Sequence, residues 1–191
     1  VVKPQGDRAV VESLSAALGM PTVLTNLLVQ RGIDTMEKAK KFFSPSLRDL
    51  HDPFLMKDMD KAVERIERAV KAGEKVMIYG DYDVDGTTAV ALVYKFISQI
   101  GHKNLLFYIP DRYVDGYGIS IRSIEHALRK GVTLVIALDC GIKAVEKVAY
   151  AKERGVDFII CDHHLPAEEI PAAVAVLDPK RNDCNYPFDE L

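Results

Sequence analysis

Four short apolar runs each lead straight into clustered acidic or imidazole side chains, and this pairing constrains the chain more than any other feature. Residues 76–79 run into Gly80-Asp81-Tyr82-Asp83-Val84-Asp85-Gly86, 105–109 into Asp111-Arg112, 134–138 into Asp139-Cys140-Gly141, and 158–161 into Asp162-His163-His164. Apolar runs this short, bounded by Gly and polar residues, read as buried strands. In an open parallel sheet the carboxyl ends of the strands line one crevice, where ligands bind. Six carboxylates and two imidazoles therefore converge on one place. So many anionic groups repel one another unless cations sit among them, and a metal cluster is the economical reading.

The rest of the chain supplies the frame for such a crevice. Helical periodicity over residues 87–100, 120–130 and 143–154 alternates with the strands, and Gly101, Gly131 and Gly155 stand where helix C-caps are expected. A fifth apolar run at 174–177 precedes Asp178-Pro179. Strand, loop and helix in repetition predict an α/β fold, a five-stranded mainly parallel sheet with right-handed crossovers and helices on both faces. Residues 1–58 have another texture, with short helices predicted over 10–18, 22–31 and 35–43, broken at Gly19-Met20-Pro21 and Ser44-Pro45, and no strand signal. The expected organisation is a helical region over 1–58 and the α/β domain over 59–191. Met59, Val63, Ile66 and Val70 mark one face of the first helix of that domain, which should stop at Gly73.

Composition sets limits on function. A net charge of −3 carries no basic footprint for nucleic acid, although an acidic cation-binding cluster would itself depress that number. Three cysteines, Cys140, Cys161 and Cys184, do not make a disulfide framework and favour a reducing compartment. No apolar run approaches the roughly 20 residues of a membrane span, and no signal-peptide core opens the chain. A cytoplasmic protein without membrane partners is expected.

Each acidic segment has a chemical reading and a plainer one. In an extended loop Asp81, Asp83 and Asp85 would point the same way and could face one ion; a solvated acidic turn with Asp caps is the alternative. Gly80 and Gly86 let the backbone approach a ligand closely, and Gly86 opens a helix. Asp139 either caps the helix predicted from Lys143 or bridges two metals. Asp162-His163-His164 is the most specific local signal, a carboxylate beside imidazoles after a buried strand. A thiolate at Cys140 or Cys161 would favour zinc, whereas oxygen and imidazole ligands suit Mn²⁺ or Mg²⁺. Arg112 could clamp a phosphate, and Tyr113 or Tyr117 could stack on a base, unless Asp115-Gly116 simply makes a surface bend.

These residues resemble the DHH phosphoesterase superfamily and, within it, the RecJ-like single-strand exonucleases. Gly80 to Gly86 looks like the first motif, Asp139 the second, and Asp162-His163-His164 the signature triplet. Arg31-Gly32-Ile33, Leu50-His51-Asp52-Pro53-Phe54 and the stretch from Arg112 to Gly118 are similar to the RecJ-like branch in particular. The resemblance implies a metal-dependent 5′→3′ exonuclease on single-stranded DNA, serving repair and recombination through a two-ion Mn²⁺ or Mg²⁺ site. It implies that Asp83 and Asp139 hold one ion with Asp81 as helper. Asp85, Asp139 and His163 would hold the other, so that Asp139 bridges. Asp162 would orient His163, His164 would contact the scissile phosphate, and Arg112 a neighbouring phosphate. The family's fourth motif Asp, its second domain and its oligonucleotide-binding domain have no counterpart before Leu191. With no Met at the start, this leads to the expectation of an amino-terminal part whose missing carboxy-terminal domains complete the cleft, weakly active or inactive alone.

Other functions stay open at this point. A DHH pyrophosphatase or oligonucleotide phosphodiesterase is the near alternative, although the family's pyrophosphatases carry His where this chain has Tyr79. Asp83-Val84-Asp85-Gly86-Thr87 also matches the nucleophile motif of haloacid-dehalogenase-like phosphatases, a reading that leaves Asp162-His163-His164 without a role. A metal- or nucleotide-binding module without activity is the non-enzymatic alternative.

Overall fold

The fold was analysed in a computed structural model that describes residues 4–189. The chain divides into two compact units between His51 and Asp52. The first is helical among its described residues, with α1 (Arg8–Leu18), α2 (Thr22–Val29) and α3 (Met36–Phe43). Asp7 caps α1 by accepting from the amides of Ala9 and Val10, and Gly19 ends it in the left-handed region at φ 64°. Val11, Leu14, Leu28 and Ala39 are the buried apolar residues of this unit.

The second unit is built on five strands, β1 (Val76–Gly80), β2 (Leu105–Tyr108), β3 (Leu134–Leu138), β4 (Asp157–Cys161) and β5 (Ala175–Leu177). They form one sheet in the order β2-β1-β3-β4-β5, and every pairing is parallel. The helices are α4 (Met59–Ala72), α5 (Val84–Gln99), α6 (Ile121–Arg129) and α7 (Val145–Lys152). Side chains alternate across the strands and so build two cores. Met77, Tyr79, Val135, Ala137, Phe158 and Ile160 pack with Ile124 and Ala127 of α6 and Val148 and Ala151 of α7. Val76, Ile78, Leu134, Ile136 and Ile159 pack with Ala62 and Ala69 of α4 and Val90 and Ile97 of α5 on the opposite face. The expected α/β sheet with helices on both faces is what the chain forms. Because β1 feeds β2 on one side and neighbours β3 on the other, the order reverses between β1 and β3, the switch point at which such sheets open a crevice.

Two helix starts differ from the sequence reading. Helix α5 begins at Val84, so only Asp81 to Asp83 remain as loop and Asp85 lies in the first helical turn. Helix α7 begins at Val145 after a turn over residues 141–144, and its N-cap is Ala144 rather than an Asp. On α4 the predicted face of Met59, Val63, Ile66 and Val70 is half-buried, while Ala62, Arg65 and Ala69 point inward. Buried Arg65 binds Asp157 Oδ2 through Nε and Glu74 Oε2 through Nη2, each at 2.7 Å. This network ties α4 to the amino-terminal edge of β4.

Candidate metal centre

Strand register sets out the site. Gly80 pairs with Leu138, Leu138 with Cys161, and Cys161 with Leu177. The next residue in each strand is an aspartate, so Asp81, Asp139, Asp162 and Asp178 form one row across the carboxyl end of the sheet. A parallel sheet in register thus brings together four carboxylates far apart in sequence. Asp81 and Asp178 are fully buried, each with one oxygen accepting from a nearby amide, of Tyr82 and of Lys180 respectively, both at 2.8 Å. Their other oxygens, Oδ2 in both cases, are buried without a protein partner. Burial raises both carboxyls above the ordinary range.

Asp139 stands at the centre of the row. Its backbone adopts the left-handed conformation at φ 60°, tolerated by Asp better than by most residues, while its amide donates to Cys161 O at 2.8 Å. The side chain is thereby turned from α7, and its Oδ1 lies 3.0 Å from Nε2 of His163. Donor atoms of Asp139, His163 and His164 all fall within 4.8 Å of one another. Asp83 joins from the β1 side: it caps α5 by accepting from Gly86 N at 3.0 Å, and this bond holds its carboxyl below the usual range. Burial and then the charge of adjacent Asp83 push the Asp139 carboxyl up. Asp85, exposed in the first turn of α5, stands outside the cluster of Asp139 with the two histidines.

Asp162 acts on the other histidine from the one expected. Its Oδ1 accepts from Nδ1 of His164 at 2.7 Å and from the His163 and His164 amides, and its Oδ2 accepts from Ile142 N at 2.9 Å. Burial raises this carboxyl, but the bonds from Ile142, His164 and His163 prevail and hold it below the usual range. The ring of His163 is left to Asp139. Such tight hydrogen bonding to a buried carboxylate makes Asp162 an anchor rather than a free ligand.

The loop after β2 closes one side. Its Asp111 carboxylate accepts from the amides of Tyr113 and Val114 and so organises its own turn. The buried Tyr79 hydroxyl donates to Gly118 O at 2.7 Å, an anchor the sequence reading did not anticipate. Tyr117 next to it places its hydroxyl 3.2 Å from His164 Nε2. Arg112 lies over the Tyr82 ring with its Cζ 4.7 Å from the centroid, and Tyr82 meets Tyr117 edge-on. Tyr113 is fully solvent-facing at 92% exposure and packs on nothing that would fix it as a base platform. Cys140 and Cys161 are free thiols outside the ligand cluster, and burial pushes the Cys140 thiol far up, away from a metal-binding thiolate.

A divalent cation fits this donor set. The carboxylates and imidazoles are those that suit Mn²⁺ or Mg²⁺, and the partnerless Oδ2 of Asp81 is a buried anionic oxygen in want of a cation. Comparison with known proteins agrees. Residues 75–186 match the DHH family, N-terminal domain.

The chain belongs to the DHH family.

Over all 191 residues this DHH protein is 41% identical to the single-stranded-DNA-specific exonuclease RecJ of Bacillus subtilis (strain 168), of whose length it spans 24%. It is similar to the crystal structure of exonuclease RecJ bound to manganese with a TM-score of 0.63 and 28% identity, covering 70% of this chain and 34% of that one. RecJ in complex with Mn²⁺ from Thermus thermophilus shares its fold, with a TM-score of 0.71 at 24% identity over 96% of this chain and 25% of that one. The DHH assignment absorbs Asp162-His163-His164 and sets aside the haloacid-dehalogenase alternative. Among the described residues, no helix is long and apolar enough to cross a membrane.

Proposed function

We propose that this DHH domain is the metal-binding core of a 5′→3′ exonuclease on single-stranded DNA, acting in repair and recombination. The observation that carries the reading is the meeting of Asp139 with His163 and His164 beside Asp83, at the sheet's switch point. Similarity to RecJ proteins, two of them solved with manganese, supports the substrate and the metal. Asp83 and Asp139, with Asp81 behind them, would hold one Mn²⁺ or Mg²⁺; Asp85, Asp139 and His163 would hold a second, with Asp139 shared. Divalent ions at such a site supply charge neutralisation at the phosphodiester and make water more acidic.

The chain's own residues do the rest. Asp162 accepts from Nδ1 of His164 and so fixes the ring; Nε2, which meets the Tyr117 hydroxyl, would contact the scissile phosphate as a donor when it carries a proton and that hydroxyl turns aside. Tyr117 holds that ring from the other side. Arg112, restrained on Tyr82, offers its guanidinium to a neighbouring phosphate. In the longer relatives the rest of the polypeptide has room for the opposing wall of a DNA cleft, the partner role expected of further domains. The free thiols fit a reducing compartment, and we assign the reaction to the cytoplasm.

The test is digestion of 5′-phosphorylated single-stranded DNA with Mn²⁺, against a duplex of the same sequence and against pyrophosphate. Nucleotides, at most in traces from residues 1–191 alone, should be released from the 5′ end of the single strand only, and Asp139→Asn should bind Mn²⁺ at least about 100-fold more weakly and lose that activity. Equal attack on duplex, preference for pyrophosphate, or unchanged Mn²⁺ affinity in the variant would contradict the reading.

A further inference from the structure

Two tyrosines that are register partners in neighbouring strands hold the loop between β2 and α6. Tyr79 of β1 pairs with Tyr108 of β2, and their rings stack with 5.6 Å between centroids and 7° between planes. The Tyr108 ring also meets His126 of α6 at 5.4 Å. Both hydroxyls end on the same loop. Tyr79 donates to Gly118 O at 2.7 Å, and Tyr108 donates to Asp115 Oδ2 at 3.0 Å. Tyr117 stands between these two attachment points, with its own hydroxyl 3.2 Å from His164 Nε2. Three residues of chain reach at most about 11 Å, so the backbone that carries Tyr117 cannot swing far while both ends are pinned.

Asp115 serves this attachment rather than the turn. The bend of the loop is organised by Asp111, which accepts from the amides of Tyr113 and Val114. Asp115 instead reaches back to the sheet: its Oδ2 accepts from the Tyr108 hydroxyl and from Asp111 N at 2.9 Å, and its side chain is only 4% exposed. Its Oδ1 is buried without a hydrogen-bond partner. Arg122 Nε of α6 lies 3.9 Å from that oxygen, too far to bond but near enough to offset part of the charge. Burying a carboxylate on these terms costs stability, and a loop that only joined β2 to α6 could make its turn without it. Tyr117 is itself 58% exposed, so packing alone does not fix its ring.

We propose that Tyr108 and Asp115 are positioning residues, whose hydroxyl–carboxylate bond holds the loop so that the Tyr117 hydroxyl stays on His164 Nε2. Neither residue touches the site itself; both act through Tyr117. How firmly they hold the loop then sets how readily Nε2 is released to a phosphate. This rests on the phosphodiesterase reading for the phosphate, and on geometry alone for the hold on the ring.

The test follows His164 by ¹⁵N NMR in EDTA, at one pH and without DNA. Tyr117→Phe removes the hydroxyl and so fixes the signal of an uncapped Nε2. Tyr108→Phe and Asp115→Ala should move the Nε2 resonance toward that signal. Asp115→Asn, which keeps an acceptor for Tyr108, should return it most of the way to the parent. In the Tyr117→Phe background neither change should move it further, because the coupling runs through that hydroxyl. Amide exchange over residues 111–118 should quicken about fivefold in Tyr108→Phe, as expected for the loss of one hydrogen bond. Mn²⁺ affinity should match the parent in every variant. An unmoved Nε2 resonance, a further shift in the Tyr117→Phe background, unchanged amide exchange, or Mn²⁺ affinity that falls in step with the shift would each overturn the proposal. Tyr108→Phe loses one oxygen and keeps the stacked ring, so the test stands on it if Asp115→Ala does not fold. No strand and no hydrolysis enter the measurement, so its failure leaves the phosphodiesterase reading standing, and a failed nuclease assay leaves this result intact.

Discussion

Asp162 holds the ring of His164, two residues along the chain, with 2.7 Å between Oδ1 and Nδ1. His163, the residue between them, turns its ring the other way and presents Nε2 to Asp139 at 3.0 Å. Consecutive histidines therefore meet different carboxylates, the His163 ring Asp139 and the His164 ring Asp162.

Replacing Asp162 should loosen this arrangement. Asp162→Ala strands four donors in a site where the carboxylate side chain is only 1% exposed. A loss of about 3 kcal/mol in denaturant unfolding is expected, in the upper range for buried groups left unsatisfied. In the metal-free variant the His164 ring should also populate both neutral tautomers by ¹⁵N NMR, where the parent shows the Nδ1–H form.

The metal-free protein should have an unusual pH response. Asp81, Asp139 and Asp178 have raised carboxyls, chiefly through burial, so the folded chain binds protons at pH values where the unfolded chain has released them. Stability then falls as pH rises through this window and is recovered as these groups protonate. Asp162, Asp83 and Glu74 have lowered carboxyls, and the stability they contribute is lost only at more acidic pH, below the unfolded value near 4. In EDTA the melting temperature should therefore increase as pH is lowered through the range just above the ordinary carboxyl value near 4, before acid unfolding sets in. With saturating Mn²⁺ the increase should vanish, because bound cations replace the protons. A flat EDTA profile would count against the buried acid row.

Gly86→Ala should damage the site through the backbone. A Cβ there would lie 2.4 Å from Asp81 O and 2.5 Å from Asp81 N, and neither atom can move without shifting the end of β1 against α5. Destabilisation of about 3 kcal/mol is expected for such overpacking, with a parallel loss of Mn²⁺ affinity by calorimetry.

Arg65→Met should cost stability but spare the metal centre. The guanidinium, 4% exposed, joins Glu74 and Asp157, which are themselves 21% and 35% exposed. Water can reach those carboxylates once the arginine is gone, so about 2 kcal/mol is expected rather than the larger penalty of a fully buried orphan. Mn²⁺ affinity should not change, since the network sits at the amino ends of the strands and Asp139 at their carboxyl ends.

What the sequence determined by itself was the alternation of strand and helix, the order of the elements and the identity of the acidic strand ends. Apolar runs of four or five residues closed by Gly and Asp leave few other ways to hide a chain, and Gly73, Gly101, Gly131 and Gly155 stop the helices because the left-handed conformation suits them. The tertiary structure alone decided which ends lie level and where each side chain turns. Alternation in an extended loop would have aligned Asp81, Asp83 and Asp85, but the Asp83 cap starts α5 at Val84 and breaks that period. Asp178 reads in sequence as a stray acid after the last strand; pairing between β4 and β5 sets it in the row. The burial of Arg65 and the division of labour between His163 and His164 depend on partners 92 and 24 residues distant, and contacts at such separations exist only once the sheet has closed.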